Sequence, residues 1–218
     1  MIELERDGGV FTLHMREGEN RFNPDFLTAL NRHLDEIESV DGAAALVTIG
    51  EGKFYSNGLD LEWMEAQEPE RTASFLADVH ALFARVLAFP AITVAAVSGH
   101  AFAGGAMLAL AHDFRVMRAD RGYFCLPEID LGLPLTPGMT ALIQAKLPRK
   151  TWHEAVLTGR RYGGSDAEGA GIVHDAVTEA EVLPRALEIA RPLAGKHRPT
   201  LAALKRGLYP RELEILTA

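Results

Sequence analysis

From Ala88 to Ala111 the chain carries no Asp, Glu, Lys or Arg, and keeping so long an uncharged run out of water constrains the fold more than any other feature. The run is long enough for a membrane span, yet Pro90, Ser98, His100 and three glycines interrupt it. It reads instead as a buried strand over Ile92–Val97, a glycine turn, and a buried helix over residues 104–112. A strand and a helix that are both buried need further layers on either side, and the rest of the sequence is patterned to supply them.

Residues 1–5 and 10–15 are short alternating runs flanking Asp7-Gly8-Gly9, the signal for an opening β-hairpin. Asn23-Pro24 reads as an N-cap with proline at the first helical position. Phe26, Leu27, Leu30, Leu34 and Ile37 then recur at helical spacing, which predicts a helix to about Ser39. Residues 43–49 suit a buried strand, and residues 71–89 carry Phe75, Val79, Leu82, Phe83 and Val86 on one face of a helix that Pro90 stops. Past the central run, residues 114–118 and 123–126 read as strands and residues 127–137 as a loop. Helices follow over 139–146 and 149–157, with two more segments opened by capping boxes, Ser165…Glu168 and Thr178…Glu181. Strands and helices interleave to about residue 126, so the expected class is α/β with a helical C-terminal region. At 218 residues the chain suits one domain with a sizeable core and is too short for two.

The balance of 22 Lys+Arg against 30 Asp+Glu, a formal charge of -8, repels polyanions and argues against a nucleic-acid partner. A small anionic ligand stays open, because backbone N–H groups bind phosphates whatever the global charge. A single cysteine, Cys125, cannot form an internal disulfide, and residues 1–5 lack the basic and apolar regions of a signal peptide, so the cytoplasm is the expected compartment, with no membrane association. The eight histidines are scattered without a His-Glu-x-x-His motif or a cysteine cluster, and no metal site is expected.

Three segments could carry chemistry. The first, residues 52–61 (GKFYSNGLDL), is a polar turn after a buried strand and before a helix that Asp60 could cap; a plain strand-to-helix loop is the competing reading. The second, residues 98–105 (SGHAFAGG), joins the buried strand to the buried helix. Its glycines allow a ligand close to the main chain, and the Gly104 N–H would lie at a helix N-terminus, where developing negative charge is favoured. Two such N–H groups, one from each segment, would make an oxyanion hole. A dinucleotide fingerprint would need glycine at Ala101, and a nucleophile elbow around Ser98 would need glycines at Ala96 and His100; helix-to-sheet packing is the third rival. His100 could support this loop. The third segment, residues 125–134 (CLPEIDLGLP), sets Glu128 among Leu126, Ile129, Leu131 and Leu133, and poor solvation there raises a carboxyl towards the range of a general base; a solvent-facing loop glutamate is the competing reading. Asp130 fits a structural role, and Cys125 fits a small core residue better than a nucleophile.

In this order the three segments resemble the enoyl-CoA hydratase/isomerase (crotonase) superfamily, over residues 1–177. Residues 52–63, 99–121 and 128–134, with Leu208-Tyr209-Pro210 near the end, are most similar to its short delta(3)-delta(2)-enoyl-CoA isomerases. The resemblance implies a crotonase-like ββα spiral of two roughly perpendicular sheets, a single domain over residues 1–218 with a spiral core to 177 and a helical tail from 178, and a homotrimer or dimer of trimers. By position it implies an acyl-CoA substrate with no separate cofactor, an oxyanion hole from the N–H groups of Leu59 and Gly104, and Glu128 as the catalytic carboxylate. Tyr55, Ser56, Asn57 and Gly58 would lie along the coenzyme A, with Lys53 as a phosphate contact.

One departure bears on the reaction. Hydratases of this superfamily carry two glutamates, and here the first position is Met107, implied to line the acyl pocket. Adding water calls for two groups to manage protons, whereas moving a double bond needs one. Isomerisation of a 3-enoyl-CoA to the trans-2 form leads, ahead of hydration, thioester hydrolysis or decarboxylation. A non-catalytic acyl-CoA-binding protein and a serine peptidase on the same spiral fold are more distant. The chain ends at Ala218, where long hydratases continue, which leaves ligand contacts near Lys205, Arg206 and Tyr209 unassigned.

Overall fold

The computed structural model describes residues 2–218; Met1, expected in the first strand, lies outside the described residues. Strands β1 (Ile2–Asp7) and β2 (Val10–Met15) form the expected antiparallel hairpin through a turn at Gly8. A two-residue strand β3 (Arg21–Phe22) then leads into helix α1 (Pro24–Ser39), where the Asn23 side chain accepts the Phe26 N–H at 2.9 Å and Pro24 opens the first turn. Next come β4 (Ala45–Gly50), β5 (Phe54–Ser56), β6 (Gly58–Leu59), and helices α2 (Leu61–Glu65) and α3 (Pro69–Leu87). Asp60 caps α2 by accepting the Trp63 N–H at 3.2 Å.

The uncharged run forms β7 (Ile92–Val97), β8 (His100–Phe102) and α4 (Gly104–Ala111), and every residue of β7 and α4 is buried. Both faces of β7 are covered, which its largely apolar sequence requires. Ile92, Val94 and Ala96 face one apolar cluster, while Ala95 and Val97 face the other. Beyond α4 lie β9 (Phe114–Arg118), β10 (Phe124–Cys125), α5 (Glu128–Leu131), α6 (Pro137–Lys146), α7 (Arg149–Thr158), α8 (Gly164–Gly169) and β11 (Asp175–Val177). The chain finishes with α9 (Val182–Ala190), α10 (Arg198–Leu208) and α11 (Pro210–Leu216).

The main sheet has the order β1-β2-β4-β7-β9-β11, and from β2 onward its neighbours run parallel. A second sheet, β10-β8-β5, and the short pair β3-β6, both parallel, sit at the ends of the main strands and place the glycine turn. The tail helices belong to the same packing. Val182, Ala186 and Ala190 of α9 cover the outer face of the main sheet. Lys205 of α10, 3% exposed, reaches the Ala91 carbonyl at 2.7 Å and the Asp113 carboxylate at 2.6 Å. Leu216 of α11 enters the core beside Gly138.

Three expectations need correction. Residues 127–137 are not all loop: Glu128–Leu131 close one helical turn, ended by Gly132 in the left-handed region at φ 66°. Ser165 is no cap, because α8 begins at Gly164 with Gly163 before it. The helical stretch also contains a strand, β11, which pairs with β9. The Thr178…Glu181 box does form, around a short 3-10 turn that runs into α9. Among the described residues no helix is long and apolar enough to cross a membrane.

Candidate active site

The first segment is built from its buried polar groups outward. The Tyr55 hydroxyl lies 2.8 Å from Thr48 Oγ1, which lies 3.0 Å from His112 Nε2, and His112 Nδ1 is 2.8 Å from the Leu108 carbonyl. A carbonyl only accepts, so Nδ1 carries the proton and Nε2 accepts from Thr48, which in turn accepts from Tyr55. Burial pushes the imidazole down to about 3, so it stays neutral. Ser56, also fully buried, donates to the Asn20 carbonyl at 2.7 Å and accepts the Gly58 N–H at 3.1 Å.

This framework presses β6 against the start of α4. Gly58 has φ +80°, and a Cβ there would stand 2.7 Å from the Gly104 nitrogen and 2.9 Å from the Phe102 carbonyl oxygen; only glycine allows that approach. Opposite it, Ala103 holds φ 49° and ψ -122°, a strained conformation for a residue with a Cβ, immediately before the eight-residue helix α4. Its own N–H is committed to the Cys125 carbonyl at 3.0 Å, and it offers no side-chain cap. The first N–H groups of α4 therefore keep their capacity to bind an anion, aided by the helix dipole. On β6 the Asp60 N–H turns to the Phe22 carbonyl at 2.9 Å, so the preceding Leu59 N–H in this extended segment faces away from β3.

Leu59, Gly104, Met107 and Glu128 line one cavity of about 540 Å³. Glu128 is the first residue of α5, and burial raises its carboxyl to about 6, its own backbone N–H opposing the shift only in part. Its Oε2 is buried and has no hydrogen-bond partner among the described residues, which is unusual for a carboxylate. Glu128 is the only carboxylate among the described residues that line it. Leu61 and Met64 of α2, Leu76 of α3 and Met139 of α6 supply apolar wall, and Arg21 and Arg161 supply positive charge. The arrangement can hold an anionic oxygen against backbone amides while a poorly solvated carboxylate handles a proton nearby.

The other expected contacts divide. Asn57 lines the cavity, its amide held by Glu19 at 2.8 Å. Tyr55 and Ser56 do not line it: both are fully buried and their side chains are consumed by the bonds above. Gly58 lies beneath Gly104 rather than on the cavity wall. Lys53 is exposed outside the cavity, its ammonium 5.2 Å from the Phe54 ring centre. His100 packs against Phe54, Phe102 and Tyr123 and supports the loop. Ser98 donates to the Gly50 carbonyl at 2.6 Å, which leaves no nucleophile elbow. Cys125 reaches the cavity, but burial lifts its thiol to about 11, and it is 3.2 Å from the Gly159 carbonyl. Asp130 turns to Gly159, away from the cavity. Of the apolar residues expected around Glu128, Leu126 is buried, whereas Ile129, Leu131 and Leu133 are about half exposed. Arg21, Arg161, Thr136 and Met139 have no local sequence signal: Arg21 comes from β3, Arg161 from the segment after α7, and Thr136 and Met139 from the start of α6.

Comparison with known proteins places this geometry among relatives. The sequence profile described as enoyl-CoA hydratase/isomerase matches residues 5–213. The peroxisomal enoyl-CoA delta isomerase 2 of Arabidopsis thaliana is 33% identical over 99% of this chain and 95% of its own length. Enoyl-CoA delta isomerase 3 of the same plant is 34% identical over 96% and 92%. Among solved structures, a probable enoyl-CoA hydratase of Mycobacterium tuberculosis superposes with a TM-score of 0.92 at 27% identity, over 99% of this chain and 91% of that one.

Proposed function

The chain belongs to the enoyl-CoA hydratase/isomerase family, and from that premise we propose that it moves the double bond of a 3-enoyl-CoA to the trans-2 position, with Glu128 as the single base. The observation that carries this reading is the solitary carboxylate: Glu128 alone faces a cavity in which Met107, 1% exposed, occupies the wall one helical turn beyond Gly104.

The thioester oxygen accepts from the N–H groups of Leu59 and Gly104. That polarises the carbonyl and acidifies the α carbon, and Glu128 takes the α proton. The negative charge that develops on oxygen is held by the two amides, a contribution of roughly 3 kcal/mol for one such donor. With the π system now spread from oxygen to the γ carbon, protonated Glu128 returns its proton at that carbon, leaving the 2,3 double bond. The same carboxyl ends as it began. Arg21 and Arg161 give the cavity positive charge for the phosphates of coenzyme A.

A carboxyl held near 6 has a defined consequence. Glu128 must be ionised to take a proton, so kcat/KM should rise about tenfold per pH unit below 6 and level off above about 7. Initial rates between pH 4.5 and 8.5 check this; a profile that falls across that range contradicts Glu128 as the base. The reading as a whole is tested by product analysis. Purified protein given a 3-enoyl-CoA should yield the trans-2-enoyl-CoA, and given a trans-2-enoyl-CoA should yield almost no 3-hydroxyacyl product. Substantial hydration would move the protein to the hydratase branch.

A further inference from the structure

The active-site cavity shares a wall with a second one. A cavity of about 290 Å³ lies behind Glu128, Leu133 and Pro134, the three residues that line both spaces. The far side is mostly apolar: Ile143 of α6 with Trp152, Val156 and Leu157 of α7 face it, Thr140 and Gln144 of α6 add uncharged polar groups, and apart from Glu128 no charged side chain among the described residues lines it. The dividing segment has no regular structure between α5 and α6. Its Leu133 N–H is tied to the Glu128 carbonyl at 3.0 Å, while Leu133 as a whole is 44% exposed.

We propose that this second cavity takes the distal carbons of a long fatty acyl chain, and that Leu133 is the divider that sets acyl length. The inference rests on the reading that the thioester sits in the main cavity with its α carbon at Glu128. From there a saturated tail needs continuous apolar volume, and the wall at Leu133 and Pro134 is one side chain thick. At about 30 Å³ for a water-sized group, 290 Å³ holds roughly eight to ten methylenes. That volume suits the end of a sixteen-carbon chain, whereas a six-carbon one has too few carbons past its α carbon to fill it. Each methylene buried there should improve affinity up to about fourfold.

The test is the ratio of affinities for palmitoyl-CoA and hexanoyl-CoA, both saturated and unreactive, by calorimetry. The unaltered protein should bind palmitoyl-CoA more tightly. Val156→Phe, which fills the second cavity, should reduce the palmitoyl preference by about tenfold or more, and Leu133→Ala, which opens the wall, should raise it. Thr140→Phe on α6 repeats the filling from the opposite side if Val156→Phe does not fold by circular dichroism. Equal affinities in the unaltered protein, or a ratio unmoved in a folded filling variant, overturn the second cavity as a tail site; no rise in Leu133→Ala overturns Leu133 as the divider. Because binding is measured without turnover, failure of the isomerase assay leaves this result standing, whereas a protein that binds neither acyl-CoA removes the reading on which the inference rests.

Discussion

Glu128→Gln is expected to lower kcat for 3-enoyl-CoA isomerisation by about a thousandfold while changing acyl-CoA affinity less than about twofold. A positioned base contributes roughly a hundred- to ten-thousandfold, and here no other carboxylate lines the cavity to take over. The amide keeps the shape of the side chain, so the cavity and the two backbone donors are undisturbed. The same substitution should stabilise the fold at alkaline pH. The carboxyl is raised to about 6 from its ordinary 4.5 by burial, so its neutral form favours folding fully below about 4.5 and that contribution is lost as pH rises through 6. At pH 8 the native state then carries a penalty on the order of 1–2 kcal/mol, which the neutral amide removes. Melting temperature should rise by about 2–6 °C at pH 8 and hardly at all at pH 4. A variant that loses activity and stability together at pH 8 would mean that Glu128 is held by partners rather than left unpaired.

Gly58→Ala is expected to cost about a hundredfold or more in kcat, although residue 58 is not on the cavity wall. The added methyl would press on the Gly104 nitrogen and the Phe102 carbonyl, both backbone, in a conformation at φ +80° that alanine rarely adopts. Neither neighbour can step aside without moving β6 away from α4. That motion separates the two proposed donors, and loss of one such donor alone is worth roughly 3 kcal/mol. The KM for substrate should change far less than kcat, because the apolar walls from α3 and α6 belong to elements distant in sequence from β6. Steady-state kinetics on folded variant protein separates the two parameters. A kcat within about threefold of the parent would show that the amides need no such close packing.

How much of this was legible beforehand depends on whether a residue's role is local. The Asn23-Pro24 cap, the hairpin at Gly8 and the buried strand at Ile92 are determined by neighbours in sequence, and they appear where spacing puts them. The approach of Gly58 to Gly104 joins residues far apart in the chain, and from sequence only the glycine content of both segments pointed to it. Tyr55 and Ser56 are the opposite case. Polar residues in a glycine-bearing turn look like ligand contacts, yet Thr48, His112 and Asn20, all outside that segment, absorb their hydrogen-bonding capacity. The α5 turn was hidden because four residues carry no helical period, and β11 because a three-residue strand between helices is fixed by its partner β9 rather than by its own pattern. Arg161 arrives from a stretch of sequence with no motif, and only the fold brings it to Phe102, 5.8 Å from the ring centre, at the edge of the cavity.

The division between isomerase and hydratase turns on solvent as well as on Met107. A lone carboxyl that removes and returns one proton must keep that proton while the enolate lasts, and a buried Oε2 with no partner among the described residues limits exchange with water. The fate of the proton can be followed directly. Substrate carrying deuterium at the α carbon should yield trans-2-enoyl-CoA in which a measurable fraction of the label has moved to the γ carbon at early times. Product whose γ carbon carries only solvent hydrogen from the first turnovers would contradict a single carboxyl moving one proton.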